Sequence, residues 1–322
     1  MASGKLSGKS LRENVLNLLK SRRKEVLVGA TYGGDTASIL SEGAFCVHTD
    51  PITGETKDLG SLAIKVVLND ISAGFGEPVA ILLTILLPES ADESDVKRIM
   101  LDAEEEAEKW NVEIIGGHTE FTDAVNRPIV NAVGIGIKDV NYTPYLPKAG
   151  DDVLITKSIA LEGSFILAEK YENLLNLSME EREELKEYVA STSVREEAKI
   201  VRISGIKALM HDVTEGGILG ATSELCDVAS IGIMLNKSDI PLSNLTQKIC
   251  NILEVDPYRL ISSGSMLIVT PNGRELRQAL LQGGVNATFV GKVIDKKGAY
   301  IDSEETKQIF AMPDELYRKM GE

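Results

Sequence analysis

Between Pro78 and Pro88 the chain runs Val-Ala-Ile-Leu-Leu-Thr-Ile-Leu-Leu without a single charge. A membrane-spanning helix needs about 20 such residues, so this segment is expected to be a strand buried inside a folded domain. A helix is expected over Ala91–Trp110, where Val96, Ile99, Met100, Ala103, Ala107 and Trp110 recur at three- and four-residue spacing and define one apolar stripe. The run Glu104-Glu105-Glu106 falls mostly away from that stripe and is expected on the solvated face.

The rest of the chain alternates in the same way. Helices are expected over 15–20 and 59–73, and strands over 44–49, 112–115 and 129–137, with Asp50-Pro51 ending the strand at 44–49. Residues 141–150 carry Pro144, Pro147 and Gly150 and read as a linker. They divide the chain into an N-terminal domain, 1–145, and a C-terminal domain, 146–322. In the second half a strand is expected over Asp152–Thr156, helices to about Met210, a glycine-rich motif over 211–229, and further elements to Val293. Strands and helices mix in both halves, so the fold class is α/β (α+β).

A net charge of −15 repels phosphate backbones and argues against a nucleic-acid partner. It also requires that any bound polyphosphate bring cations with it, and aspartate oxygens suit Mg2+. Cys46, Cys226 and Cys250 form no CxxC pair, which speaks against a disulfide framework or a zinc site and fits a reducing cytoplasm. The polar start, Met1 to Lys9, lacks an apolar signal region, and no membrane partner is expected.

Five segments could carry chemistry. Gly4-Lys-Leu-Ser-Gly8-Lys9-Ser10 ends like a phosphate loop, but Ser3 replaces the earlier glycine and no strand precedes it, so a flexible basic terminus is expected. Asp50 ends an apolar strand, as in phosphatases of the haloacid-dehalogenase type, yet no second carboxylate follows at DxD spacing. Asp35, Asp50, Asp58, Asp70, Glu120 and Asp212 form a scattered acidic set, most of them at strand ends or glycine-containing turns. Each alone is as well explained as a helix cap or turn residue; jointly they suit a cation site. Asp58 and Asp70 flank one helix about a third of a turn out of phase, so helical spacing alone does not join them. In Gly116-Gly117-His118-Thr119-Glu120 the glycines would let backbone amides approach a phosphate, Glu120 could hold a metal, and His118 is a weak catalytic candidate; a tight turn explains the glycines equally well. His211-Asp-Val-Thr-Glu-Gly-Gly217 leads into a helix whose amide end attracts anions.

Taken in order, Gly34-Asp35, His48-Thr-Asp50-Pro51, Asp58-Leu-Gly60, Asn69-Asp70, Gly116-Gly-His-Thr-Glu120 and Asp212-Val-Thr-Glu-Gly-Gly217 resemble the PurM-like (AIR synthase-related) superfamily. That superfamily includes aminoimidazole ribonucleotide synthetase, thiamine-monophosphate kinase, selenophosphate synthetase and the hydrogenase maturation protein HypE. The segments Thr49–Gly54 and Cys250–Pro257 look most like the HypE branch. The resemblance implies a two-domain PurM-like fold and a homodimer whose N-terminal domains pair into a β-barrel. It implies ATP as ligand, with Asp35, Asp58, Asn69, Gly117, His118 and Thr119 at the nucleotide. Asp35, Asp50, Asp70, Glu120 and Asp212 would then hold Mg2+. The implied chemistry is phosphorylation or dehydration of an amide- or carbonyl-type oxygen of a small-molecule or protein substrate that the sequence does not name. HypE proteins modify a cysteine at their own C-terminus. This chain ends Leu316-Tyr-Arg-Lys-Met-Gly-Glu322 and its last cysteine is Cys250, so self-modified tail chemistry is not expected. The alternatives are a non-catalytic ATP-binding assembly factor for hydrogenase maturation and a thiamine-monophosphate-kinase-like activity.

Overall fold

A computed structural model describes residues 4–53, 58–302, 306–310 and 312–321. The chain divides into two compact units, Met1–Tyr142 and Thr143–Glu322.

The first unit contains β1 (Gly4–Lys5), α1 (Gly8–Asn14), β2 (Val26–Val28), β3 (Ser38–Ile39), β4 (Ala44–Ile52), α2 (Leu59–Ala73), β5 (Glu77–Pro88), α3 (Glu93–Trp110), β6 (Glu113–Thr122) and β7 (Ile129–Lys138). Five strands form a sheet in the order β1-β6-β5-β7-β4, and β2 pairs with β3 separately. The apolar run of β5 lies at its centre, parallel to β6, with α3 making the crossover that a parallel pair requires. The helices cover one face: Ala63, Ile64, Val67 and Leu68 of α2 and Val96, Ile99, Ala103 and Ala107 of α3 are all 0% exposed. Each large side chain among them stabilises the unit by roughly 1.5–3 kcal/mol. Phe45 and Val47 of β4 point to the other face and stay 52% and 61% exposed.

Four expectations are corrected here. Glu104 and Glu106 are buried, at 5% and 4% exposure, rather than solvated. Glu104 accepts a hydrogen bond from the Lys20 backbone N–H at 2.7 Å, and Glu106 accepts from Trp110 Nε1 at 2.9 Å and Ser61 Oγ at 3.2 Å. Buried carboxylates persist because they are bonded in this way. The strand at β4 continues through Pro51 to Ile52, since β4 is an edge strand, the position in a sheet where proline is tolerated. Gly116–Glu120 lies inside β6 rather than in a turn. The chain start is ordered from Gly4 onward, with Gly4 and Lys5 paired to Phe121 and Glu120 and Ser7 capping α1.

The second unit contains β8 (Asp152–Thr156), α4 (Leu161–Lys170), α5 (Glu172–Leu175), α6 (Met179–Ala190), α7 (Arg195–Ser204), β9 (Leu209–Val213), α8 (Gly217–Ala229), β10 (Gly232–Asn236), α9 (Asn244–Leu253), β11 (Ser265–Thr270), α10 (Gly273–Gln282), β12 (Ala287–Ile294), β13 (Gly298–Asp302), β14 (Lys307–Gln308) and α11 (Glu315–Met320). Its seven strands order as β14-β13-β10-β12-β8-β11-β9. Ile155, Leu167, Ile218, Ile233 and Leu267 are 0% exposed at its core.

Candidate functional site

On β4, residues two apart share a face. Cys46, His48, Asp50 and Ile52 therefore point together toward α2, while Phe45, Val47 and Thr49 point away. The α2 helix approaches closely because glycines face it on β7. A Cβ on Gly136 would lie 2.4 Å from Ile71 Cγ2, and one on Gly134 3.1 Å from both Val67 and Ile71 side chains. That approach carries Asp70 to the strand. His48 Nε2 lies 3.0 Å from Asp50 Oδ2 and 3.5 Å from Asp70 Oδ2, and one ligand atom from each of the three residues fits within 4.8 Å of the others. Among the described residues this is the one group of three or more His, Cys, Asp or Glu side chains with metal-ligand geometry. His48 escaped the sequence expectations as a site residue, although its i, i+2 spacing to Asp50 on a strand was the available signal.

A second feature gathers the glycine-rich segments. Gly34 and Asp35, in the loop between β2 and β3, line a cleft of 190 Å3 together with Gly116, Gly117, His118 and Thr119 of β6. Its wall includes the apolar Leu11, Val15, Leu19 and Met100, which sequence motifs did not indicate. A Cβ on Gly117 would sit 1.8 Å from the Leu83 carbonyl oxygen, and its φ is +151°. Only glycine fits there.

Sheet register separates the acidic set. Asp50 pairs with Ala132, Ala132 with Leu83, and Leu83 with Gly117, which puts these positions in one row on the helix-covered face. His118 and Glu120 alternate with Gly117 and so occupy the opposite face, where His118 Nε2 contacts Glu120 Oε2 at 3.0 Å. Asp58 stands at the N-cap position of α2, about 18 Å along the helix from Asp70 at 1.5 Å per residue. Burial, then the Asp58 charge, push the Asp102 carboxyl up. Asn69 is 1% exposed inside α2's packing face. The structure thus brings Asp50 and Asp70 together with His48, brings Asp35 together with Gly117, His118 and Thr119, and leaves Asp58 and Glu120 apart from the Asp50–Asp70 pair.

Asp212 belongs to the second unit, on β9, 3% exposed and with Oδ2 lacking a hydrogen-bond partner among the described residues. Its neighbour His211 lies with Nε2 3.3 Å from Glu224 and Nδ1 3.9 Å from Asp212. Burial would lower the imidazole pKa, but the Asp212 and Glu224 carboxylates outweigh it and raise the value to about 9. An unfolded histidine titrates near 6.5. The proton is therefore held more tightly in the folded state, and its stabilisation is complete below about pH 6.5 and lost as pH rises through about 9. The second unit is expected to lose about 2 kcal/mol between roughly pH 6 and pH 10, a figure reduced for solvent screening at the exposed Glu224. His211→Gln should flatten this slope in urea denaturation; an unchanged slope would assign the titration elsewhere.

Two family models match the chain: the AIR synthase related protein N-terminal domain over residues 33–138 and the corresponding C-terminal domain over 148–303. The chain belongs to the AIR synthase related family, and both units have the PurM-like architecture. The relatives it resembles include proteins of hydrogenase maturation. It is 27% identical to a Methanocaldococcus jannaschii protein named for hydrogenase expression/formation, with 97% of this chain and 95% of that one aligned. It is 24% identical to the carbamoyl dehydratase HypE of Rhodobacter capsulatus over 76% of this chain and 72% of that one. A crystal structure of the hydrogenase maturation protein HypE in complex with ATP superposes with a TM-score of 0.81 at 19% identity, covering 97% of each chain. No described helix is long and apolar enough to cross a membrane.

Proposed function

We propose that this protein binds ATP together with a divalent cation and uses it to activate an amide- or carbonyl-type oxygen of its substrate for phosphorylation or dehydration. The observation that carries the proposal is the convergence of Asp50 and Asp70 on one His48 nitrogen, at 3.0 and 3.5 Å. Two carboxylates so placed repel each other unless a cation lies between or beside them. The donor set fits such an ion, two carboxylate oxygens and one imidazole, with solvent-facing positions left for phosphate oxygens. A cation held there would neutralise phosphate charge. The chain's own contribution would be positional. Asp35, Gly117, His118 and Thr119 would line the nucleotide's cleft, and the glycines would let it approach the main chain. Activation of an amide oxygen is supported by the relatives named carbamoyl dehydratase, since dehydrating a carbamoyl group removes that oxygen. Pairing of two copies through the open face of the N-terminal sheet, around Phe45 and Val47, completes the proposal; a monomeric mass in light scattering would remove that part.

Nucleotide titration with and without Mg2+ tests the assignment. Asp50→Asn and Asp70→Asn are each expected to weaken ATP binding by roughly 10- to 100-fold, equivalent to about 1.4–2.8 kcal/mol. Undiminished affinity in both variants rejects the site.

A further inference from the structure

The imidazole beside Asp50 and Asp70 changes which ion the site would select. We propose that His48, Asp50 and Asp70 form a resident site for a borderline first-row divalent cation, of the Co2+ or Zn2+ type, which binds without nucleotide and in preference to Mg2+. The inference rests on the proposed function only in treating Asp50 and Asp70 as cation ligands.

Geometry is the first support. Adjacent donors around an ion with bonds of about 2.1 Å lie about 3.0 Å apart at right angles and about 3.4 Å apart at tetrahedral angles. His48 Nε2 already stands 3.0 Å from Asp50 Oδ2 and 3.5 Å from Asp70 Oδ2. Small adjustments of three side chains would admit an ion without moving backbone.

Rigidity is the second. His48 and Asp50 are held in a strand paired to β7 over nine consecutive residues, Ala44 to Ile52. Asp70 sits in the last turn of α2, next to Ile71, which is 2% exposed and locked against Gly134 and Gly136. Three donors fixed in advance lower the entropy cost of binding, so the ion would not need a triphosphate to complete its shell.

Donor chemistry is the third. Mg2+ prefers oxygen, dehydrates reluctantly and is usually held by one or two carboxylates plus phosphates. Imidazole suits the later first-row ions, and affinity at a mixed nitrogen and oxygen site rises from Mn2+ through Co2+ to a maximum at Cu2+ before falling at Zn2+. Two carboxylates and a neutral imidazole also balance a 2+ charge. With the His48 side chain 42% exposed, coordination positions face solvent and remain open to a ligand.

Calorimetric titration of the nucleotide-free, full-length protein with Mg2+, Mn2+ and Co2+ provides the test, with the Co2+ visible spectrum as a second readout. Wild type is expected to bind Co2+ at least about tenfold more tightly than Mg2+, with shifted visible bands. His48→Gln should weaken Co2+ binding roughly 10- to 100-fold, the scale seen for loss of metal-site partners, and leave Mg2+ within about twofold. His48→Asp, an all-oxygen set, should bring the Co2+/Mg2+ ratio toward one. Equal affinity for Mg2+ and Co2+ in wild type, or an unchanged ratio in both His48 variants, overturns the proposal. Retained Co2+ binding in a protein that fails to bind ATP would support this site while removing the nucleotide function.

Discussion

Lys157→Met is expected to cost the second unit about 3–5 kcal/mol, the range for breaking one side of a buried charge pair. Lys157 Nζ lies 2.6 Å from Glu197 Oε1, and it also donates to the backbone carbonyls of Ser193 at 2.6 Å and Gly264 at 2.8 Å. Glu197 is 1% exposed and also accepts a long hydrogen bond from Thr156 Oγ1 at 3.4 Å. Methionine fills the space of the lysine stem but supplies no donor. Glu197 would then be left as a buried carboxylate without its cation, and the carbonyls of Ser191, Ser193 and Gly264 would lose this donor. The ammonium also ties the segment between α6 and α7 to the loop that precedes β11, so its loss loosens elements distant in sequence. The double variant Lys157→Met/Glu197→Gln removes both charges and is expected to be less destabilised than the sum of the single changes, by about 1–3 kcal/mol. Urea denaturation of the four proteins measures this directly. Strict additivity would mean that the two side chains do not act as a pair.

Lys157 and Glu197 illustrate which parts of the molecule were legible in the sequence. The helices α2 and α3 and the strand β5 were, because their apolar positions repeat at the period of the element and no distant residue is needed to recognise them. Glu104 and Glu106 were not. Their partners include Lys20 and Ser61, and a carboxylate's burial depends on such residues rather than on its own neighbours in the sequence. Pro51 misled for a topological reason, since a proline ends a central strand but is harmless at an edge. The acidic set shows the same division. Asp50 and Asp70 belong to different elements, and their meeting depends on α2 packing against Gly134 and Gly136, which spacing does not encode. His48 was within reach, because alternation on a strand places it beside Asp50. Glu120 was grouped with them through its glycine-rich segment and the family resemblance, and alternation along β6 sets it on the other face of the sheet from Gly117.

Gly117→Ala is expected to destabilise the first unit by about 3–5 kcal/mol, more than any other single methyl addition along the candidate cleft. The alanine Cβ would stand 1.8 Å from the Leu83 carbonyl oxygen and 2.7 Å from its carbonyl carbon. Neither atom can yield easily, because Leu83 is paired on one side to Gly117 and on the other to Ala132 in the middle of the sheet. Relief requires β5 and β6 to separate, and that would open a core in which Ile81, Ile85 and Leu87 are 0% exposed. Gly33→Ala provides the comparison. Gly33 has φ +77°, and nothing lies within 4 Å of its Cβ position, so alanine there meets backbone strain alone. Strain of that kind costs about 1–2 kcal/mol. Denaturant titration of both variants therefore separates two reasons for a glycine near a ligand cleft. If Gly117 serves mainly to let a phosphate approach the backbone, Gly117→Ala will fold about as well as Gly33→Ala and lose only nucleotide affinity. If it serves the close contact of β5 with β6, stability falls first, and the loss of affinity follows from the opened sheet. The 1.8 Å contact predicts the second outcome.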